Sequence, residues 1–347
     1  MVKYAKGFSM KDSGQYKVIS LYGPNAGRTP LAEYVLYNSN EPPVQKGENV
    51  YRIKTPCRRV AALSSIYAYM VAELHAMDQL VGIDNIDYVN HKAVLDKFRA
   101  GELKELARGP EPDLEQIILL HPDVVFSFGM PGQTWVNHPR LRENGIPQVL
   151  SFDHLEESPL ARAEWLKFFA AFLGKSHEAD SVFTAVEKSY LALKDSAAHF
   201  KIKPRVLTEI LYGELWYVPG GNSFMARLLS DAGATYPWHE DRHSGSLALS
   251  FEQVYLRAAD ADFWINLSGL KSKRELRSIE SRYEGFRAFQ NGNLFNNNKR
   301  VNHKGYSEYW ESAMVHPERL LSDLIRIFHA SPLKEEDLYY YRKLDEE

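Results

Sequence analysis

The chain has 347 residues, 44% of them hydrophobic and 25% charged, with a formal net charge of −3. That length suggests two domains or lobes, each able to bury a sizeable core. The charge balance offers no basic field for nucleic acid or an anionic membrane. The single cysteine, Cys57, excludes an intrachain disulfide and a Cys-rich zinc or iron–sulfur site.

In chain order, Met1–Gly7 carries no apolar signal core. The chain is therefore expected to be either cytoplasmic or a mature chain whose signal has been removed. No apolar run reaches the roughly 18 residues that span a bilayer. Residues 16–22 (YKVISLY) and 34–37 (YVLY) are β-rich runs around the turn cluster Gly23-Pro24-Asn25-Ala26-Gly27. They predict a β-hairpin within an N-terminal extension, residues 1–55. Residues 38–56, with Pro42-Pro43 and Gly47, read as a connector.

From Val60 the pattern turns α/β. Val60–Leu63 suits a buried parallel strand. Ser64-Ser65 then opens a helix with Ile66, Met70, Leu74 and Met77 at helical spacing. Leu80–Ile83, Val124–Phe128 and Val149–Phe152 are further strands, and their alternation with helices predicts a parallel sheet over residues 56–155. Residues 158–200 have no strand signal, and 156–200 is expected to hold the connecting helices. Trp165, Phe168, Phe169 and Phe172 mark one helix, Gly174 punctuates it, and Ser176 to about Phe200 forms a second. The α/β pattern restarts at Val206 and fills residues 201–347. The expected class is α/β: two lobes with mostly parallel sheets, joined by a long helical connector, plus the N-terminal hairpin extension.

An internal repeat supports two related lobes. Pro112-Asp113-Leu114-Glu115-Gln116-Ile117 leads to the strand Val124–Phe126, and Leu249-Ser250-Phe251-Glu252-Gln253-Val254 leads to Phe263–Ile265. Asp113 with Gln116 and Ser250 with Gln253 fit reciprocal helix capping. Glu115 and Glu252 fall in first helical turns, where a carboxylate complements the helix dipole; one per lobe, they are a matched pair. Val60–Ile83 and Val206–Tyr236 form a second pair of matching stretches. A cleft between such lobes, at the carboxyl ends of the strands, is a favoured ligand site.

The order Arg59–Leu63, Val81-Gly82-Ile83, Leu114–Ile117 with Pro122–Val125, the 158–200 helical segment, and Gly220–Phe224 through Glu252 resembles the periplasmic substrate-binding proteins of ABC importers with a helical backbone. That group captures iron–siderophores, haem and cobalamin. The resemblance covers roughly residues 56–330, leaving the N-terminal extension outside it. It implies a monomeric carrier, not an enzyme. Such a carrier takes an iron chelate or corrinoid in the interlobe cleft and hands it to a permease. The implied location is periplasmic, with a lipid anchor as one option, although the chain starts with neither a signal peptide nor a lipoprotein Cys. Glu115 and Glu252 would dock onto permease arginines. Tyr88 and Phe128 would lie on the first lobe's rim and Trp216 on the second's. Tyr67, Met130, Trp135, Trp238, Arg242, His243, Tyr306 and Trp310 are further ligand candidates, each aromatic having plain core packing as its alternative. Arg242 would pair with carboxylate or catecholate oxygens. Where the cobalamin binder carries a cleft Trp, this chain has the region of Gly109, which weighs against cobalamin.

No cofactor is expected, and no metal-ligand spacing frames the twelve His. Gly220-Gly221-Asn222-Ser223 lacks the Gly-Lys-Ser/Thr ending of a phosphate loop and reads as a turn into a helix. Ser268–Lys271 matches Ser-x-x-Lys without its companion motifs, and no basic–aromatic stripe for nucleic acid is present. Two other readings stay open: a two-lobed metalloprotein enzyme acting on a metal chelate, and a direct metal-ion carrier.

Overall fold

The computed structural model describes residues 1–23, 27, 29–40, 47, 49–108, 111–130 and 137–347. Trp135 and Gly109 lie outside the described residues.

The expected hairpin is present and belongs to a larger sheet. Strands β1 (Phe8–Asp12), β2 (Tyr16–Leu21), β3 (Ala32–Tyr37) and β4 (Val50–Lys54) form a four-stranded sheet in that order. β1 to β3 run antiparallel, and β4 lies parallel to β3. Part of the stretch read as a connector is therefore a strand. Its Val-Tyr-Arg-Ile-Lys alternation buries Ile53 and leaves Arg52 and Lys54 in water.

The first lobe follows with β5 (Val60–Ala62), α1 (Ser65–Glu73), β6 (Leu80–Ile83), α2 (Lys92–Arg99) and β7 (Lys104–Glu105). A short ribbon of β8 (Ala107–Arg108) and β9 (Glu111–Pro112) leads to α3 (Leu114–Leu120), β10 (Val124–Phe128), α4 (Pro139–Glu143) and β11 (Gln148–Ser151). The sheet order is β11-β10-β5-β6-β7, every pairing parallel. Two helices come next, α5 (Pro159–Leu173) and α6 (Ser176–Ala198).

The second lobe runs β12 (Val206–Thr208), β13 (Leu211–Tyr212), β14 (Leu215–Pro219), α7 (Phe224–Asp231), β15 (Ser246–Leu249), α8 (Phe251–Ala258) and β16 (Phe263–Ile265). It ends with α9 (Lys273–Ile279), α10 (Arg287–Gln290), β17 (Leu294–Asn296), α11 (Tyr309–Ser312), α12 (Pro317–His329) and β18 (Arg342–Lys343). β12, β16 and β17 are parallel, and β18 closes the edge antiparallel. Thr235 bridges Arg205 in parallel on the other side of β12.

The duplication inferred from the repeat is visible in the strand order. β11-β10-β5-β6 in the first lobe corresponds to β17-β16-β12-Thr235 in the second. In each lobe a short capped helix (α3 or α8) leads into the strand beside the lobe's first. The caps differ in detail. Ser250 and Gln253 form the full reciprocal box. Asp113 accepts from the amides of Glu115 and Gln116, while its own amide donates to the Leu106 carbonyl.

The connector is a helical hairpin. Gly174 breaks it in a left-handed conformation (φ 71°), which costs glycine little. Leu160 and Ala163 of α5 pack in the second lobe's core, and Trp165 to Leu173 in the first's. α6 crosses the other way, with Ala179 in the first core and Phe183, Val186 and Tyr190 in the second. Both helices thus share side chains with both cores, a geometry that resists large hinge motion.

The N-terminal sheet shares the first lobe's core through Phe8, Ile19, Tyr34, Leu36 and Ile53. The Tyr34 ring stands edge-on to Phe172 at 5.7 Å, and its hydroxyl accepts from the Leu150 amide at 3.2 Å in edge strand β11. Glu164, fully buried, accepts from the amides of Lys3, Tyr4 and Ala5. Glu156 accepts from those of Lys6 and Gly7 and from the Trp165 indole. Two carboxylates thereby receive the backbone amides of residues 3–7.

Candidate functional site

In both lobes the parallel strands end on the same edge. From the first lobe β10 delivers Phe128 and Met130 there, and β11 delivers Asp153 and His154. From the second, β12 delivers Glu209 and β16 delivers Asn266.

On the first lobe, the Tyr67 hydroxyl donates to Asp153 Oδ1 at 3.2 Å, and the Ser151 hydroxyl to the same oxygen at 2.5 Å. Burial, followed by the Asp153 charge, holds the Tyr67 phenol well above its ordinary pKa, so it acts as a donor. The Tyr67 ring lies 4.9 Å from Phe169 and 5.1 Å from Phe128, whose other side meets His154 at 5.7 Å. Phe128 is 37% exposed and Met130 more so. Burial keeps the His154 imidazole below its usual pKa and therefore neutral. Asp84, at the end of β6, completes this floor within electrostatic reach of Tyr67 and Tyr88. Burial pushes its carboxyl up to about 6.

On the second lobe, Glu209 sits in the left-handed region at φ 64°, with Asn266 at 61° and Ser268 at 58° beside it. Such backbone is sparsely populated for these residues and needs enforcement by its surroundings. Trp216 and Trp264 supply it. Trp216 donates its indole N–H to the Thr208 carbonyl at 3.0 Å, and Trp264 donates to the Glu209 carbonyl at 2.7 Å. Asn266 Nδ2 reaches Glu209 Oε1 at 3.5 Å, and the Tyr341 hydroxyl donates to Asn266 Oδ1 at 2.8 Å. Burial pushes the Glu209 carboxyl to about 7.

Arg162 joins the halves. From the first turn of α5 it donates to the carbonyls of His154 (2.8 Å) and Glu156 (3.0 Å), and its guanidinium lies 4.1 Å over the Phe224 ring. It feels the charge of Asp153 and the buried Tyr309, and Tyr309 in turn feels Glu209. Asp84, Tyr67, Asp153, Arg162, Tyr309 and Glu209 thus form a polar strip crossing the seam. At one rim the lobes touch directly. Tyr88 meets Tyr306 edge-on at 4.6 Å. Asn302 Nδ2 donates to the Asp87 and Val89 carbonyls, and the Asn90 amide donates to the buried Glu311 carboxylate at 2.8 Å.

Among the residues expected to bind ligand, the structure brings together Tyr88 with Tyr306, both exposed, and sets Phe128 on Tyr67; Tyr67 itself is fully buried against Phe169, so it supports Phe128 from beneath rather than facing a ligand. Trp310 is exposed on α11, next to Tyr309. Trp216 is fully buried, stacked on Trp264 at 5.5 Å, so it holds β12 rather than lining a wall. Trp238 is also core, packed on Tyr236. Both belong to a sheet–helix core larger than the sequence pattern suggested. Arg242 and His243 are exposed on the loop that folds over Gly220-Gly221, where His243 pairs with Asp241 at 3.1 Å. Those glycines are needed there: a Cβ on Gly220 would lie 2.3 Å from the His243 carbonyl oxygen, and one on Gly221 2.2 Å from that of Asp241. Ser223 caps the helix that follows. Glu209, Asp84 and Arg162 were missed. The only sequence signal for Glu209 and Asp84 was a lone acid directly after an apolar strand.

Glu115 and Glu252 are exposed first-turn residues of α3 and α8. Each helix leads into the strand that follows it, and each Glu meets an arginine of its own lobe, Arg140 at 3.9 Å and Arg282 at 2.8 Å. Among the described residues no three His, Cys, Asp or Glu side chains converge as a metal site, and no helix is long and apolar enough to cross a membrane.

Comparison with known proteins agrees with this architecture. The chain is 26% identical to an uncharacterized lipoprotein of Methanocaldococcus jannaschii over 326 residues, 90% of this chain and 76% of that protein. Its fold is similar to a periplasmic heme-binding protein from Roseiflexus sp. RS-1 (TM-score 0.58, 18% identity, 78% of this chain and 98% of that one). It is also similar to a periplasmic binding protein from Veillonella parvula (TM-score 0.60, 11% identity, 92% and 97%). Residues 60–300 match the model of the periplasmic binding protein family, so the two duplicated lobes and their seam identify this chain as a member of that family.

Proposed function

We propose that this protein is the substrate-binding component of an ABC importer, taking up an iron chelate (a siderophore or haem) or a corrinoid between its lobes and passing it to a permease. The observation that carries the reading is the seam itself. Aromatic residues from both lobes, Phe128 on the first and Tyr88 against Tyr306 at the rim, flank a polar strip drawn from strand ends and from helices α1, α5 and α11. Flat aromatic walls with a few fixed polar groups suit a large planar or macrocyclic ligand. The similar protein from Roseiflexus named as heme-binding supports haem within that class. Glu115 and Glu252 serve as the permease contacts, one per lobe, giving orientation and association rate more than affinity. The protein works outside the cytoplasm as a monomer, and a lipid anchor is compatible with the relative described as a lipoprotein.

The test is titration with haem, a ferric-siderophore panel and cobalamins, read by tryptophan fluorescence and calorimetry. One-to-one binding of one of them is expected. Absence of binding to all of them at tens of micromolar refutes the reading.

A further inference from the structure

The duplicated helices α3 and α8 share more than their glutamates. Aligned on Glu115 and Glu252, the buried anchor is Ile117 in one and Val254 in the other, both inaccessible to solvent. Two residues further on, each helix carries a leucine that faces water: Leu119 is 76% exposed and Leu256 90%. Glutamate and leucine are four apart, so on each helix they lie one turn apart on the same stripe. Single exposed leucines are ordinary on protein surfaces. Here the same residue recurs at the same register in both lobes, although the next residues differ (Ile118 against Tyr255, Leu120 against Arg257). Core packing does not account for it, because in both lobes the side chain points away from the core. In each lobe an arginine from a neighbouring element also holds the glutamate: Arg140 reaches Glu115 at 3.9 Å, and Arg282 reaches Glu252 at 2.8 Å. Exposed pairs of this kind are weak enough to be exchanged for another cation.

We infer that Leu119 and Leu256 are the apolar half of a duplicated docking surface, Glu115/Leu119 on one lobe and Glu252/Leu256 on the other, whose occupant is a two-fold symmetric permease offering each lobe a cation beside an apolar pocket. The inference rests on the docking role proposed above for the two glutamates. The same contact repeated on two copies of one fold is met most simply by a partner made of two copies of one surface. A charged residue next to an exposed aliphatic one also divides the work in a familiar way: the charge steers and orients, and the leucine, once desolvated, slows release.

The experiment measures binding of the full chain to its cognate permease–ATPase in nanodiscs, at low and high salt. The variants are Leu119→Ser, Leu256→Ser, the double, the two Leu→Met controls, and the charge reversal Glu115→Lys/Glu252→Lys. Each single Leu→Ser is expected to lose about tenfold in affinity and the double about a hundredfold, with little dependence on salt, and Met is expected to restore binding. The charge reversal should bind weakly, with a defect that shrinks as salt rises. Leu→Ser variants that bind like the wild type while the charge reversal fails overturn the apolar half alone. If the charge reversal also binds like the wild type, the docking reading beneath it falls.

Discussion

Replacing Glu209 by Gln separates the cost of its burial from its packing. From an ordinary value of 4.5 the carboxyl rises to about 7 through desolvation, eased only by Asn266. At about 1.36 kcal/mol per pH unit, ionising it in the folded chain costs roughly 3 kcal/mol. The sign follows from linkage. The folded state holds this proton more tightly than the unfolded chain, so the group imposes no penalty below about pH 4.5 and its full penalty above about pH 7. Glutamine has the same shape, keeps an oxygen for Asn266 and carries no charge. Urea denaturation of both proteins at pH 4.5 and pH 8 is the assay. Near-equal stability is expected at pH 4.5, and at pH 8 the variant is expected to be more stable by about 3 kcal/mol. Asp84 and Glu311 also carry raised carboxyl values, but they are common to both proteins and cancel in the difference. A difference between the two proteins that does not change with pH would refute a desolvated carboxyl at the seam. The same comparison with ligand present reports whether the ligand covers Glu209, because a group buried further shifts further.

Three more outcomes are expected. Glu164→Ala strands the amides of Lys3, Tyr4 and Ala5. At about 1–3 kcal/mol per unsatisfied group, hydrogen exchange at residues 3–5 should accelerate by orders of magnitude; unchanged protection would exclude the carboxylate as the anchor. Phe128→Ala, at a position 37% exposed, should change stability by only about 1 kcal/mol while affinity for the chelate that the titration identifies falls about tenfold; equal affinity would remove Phe128 from the proposed ligand wall. Trp216→Phe keeps an aromatic ring but deletes the donor to the Thr208 carbonyl and part of the fully buried indole; the unsatisfied carbonyl alone should cost about 1–3 kcal/mol, with the lost packing added to it. An unchanged melting temperature would show that this bond does not hold the end of β12.

The amino-acid sequence alone carried the α/β alternation, the strands at 60–63, 80–83 and 124–128, the helical connector, and the Glu-Gln repeat that marks two copies of one unit. These are periodic or local signals, set by which residues alternate, cap or break a helix. It also placed Glu115 and Glu252, because a first-turn position is a local property. It could not separate Trp216 from Phe128: both are aromatics in β-rich runs, and only the packing of β12, β14, β16 and α8 buries one and leaves the other at an edge. Nor could it assign Glu209, Asp84 and Arg162, whose chemistry comes from desolvation and from neighbours up to about a hundred and fifty residues away. The N-terminal sheet shows the same division. Its hairpin was readable from the turn between two β-rich runs, whereas β4 pairs with a strand in parallel, which no turn signal announces. Which side chains meet across the seam is a long-range property, and the fold decides it.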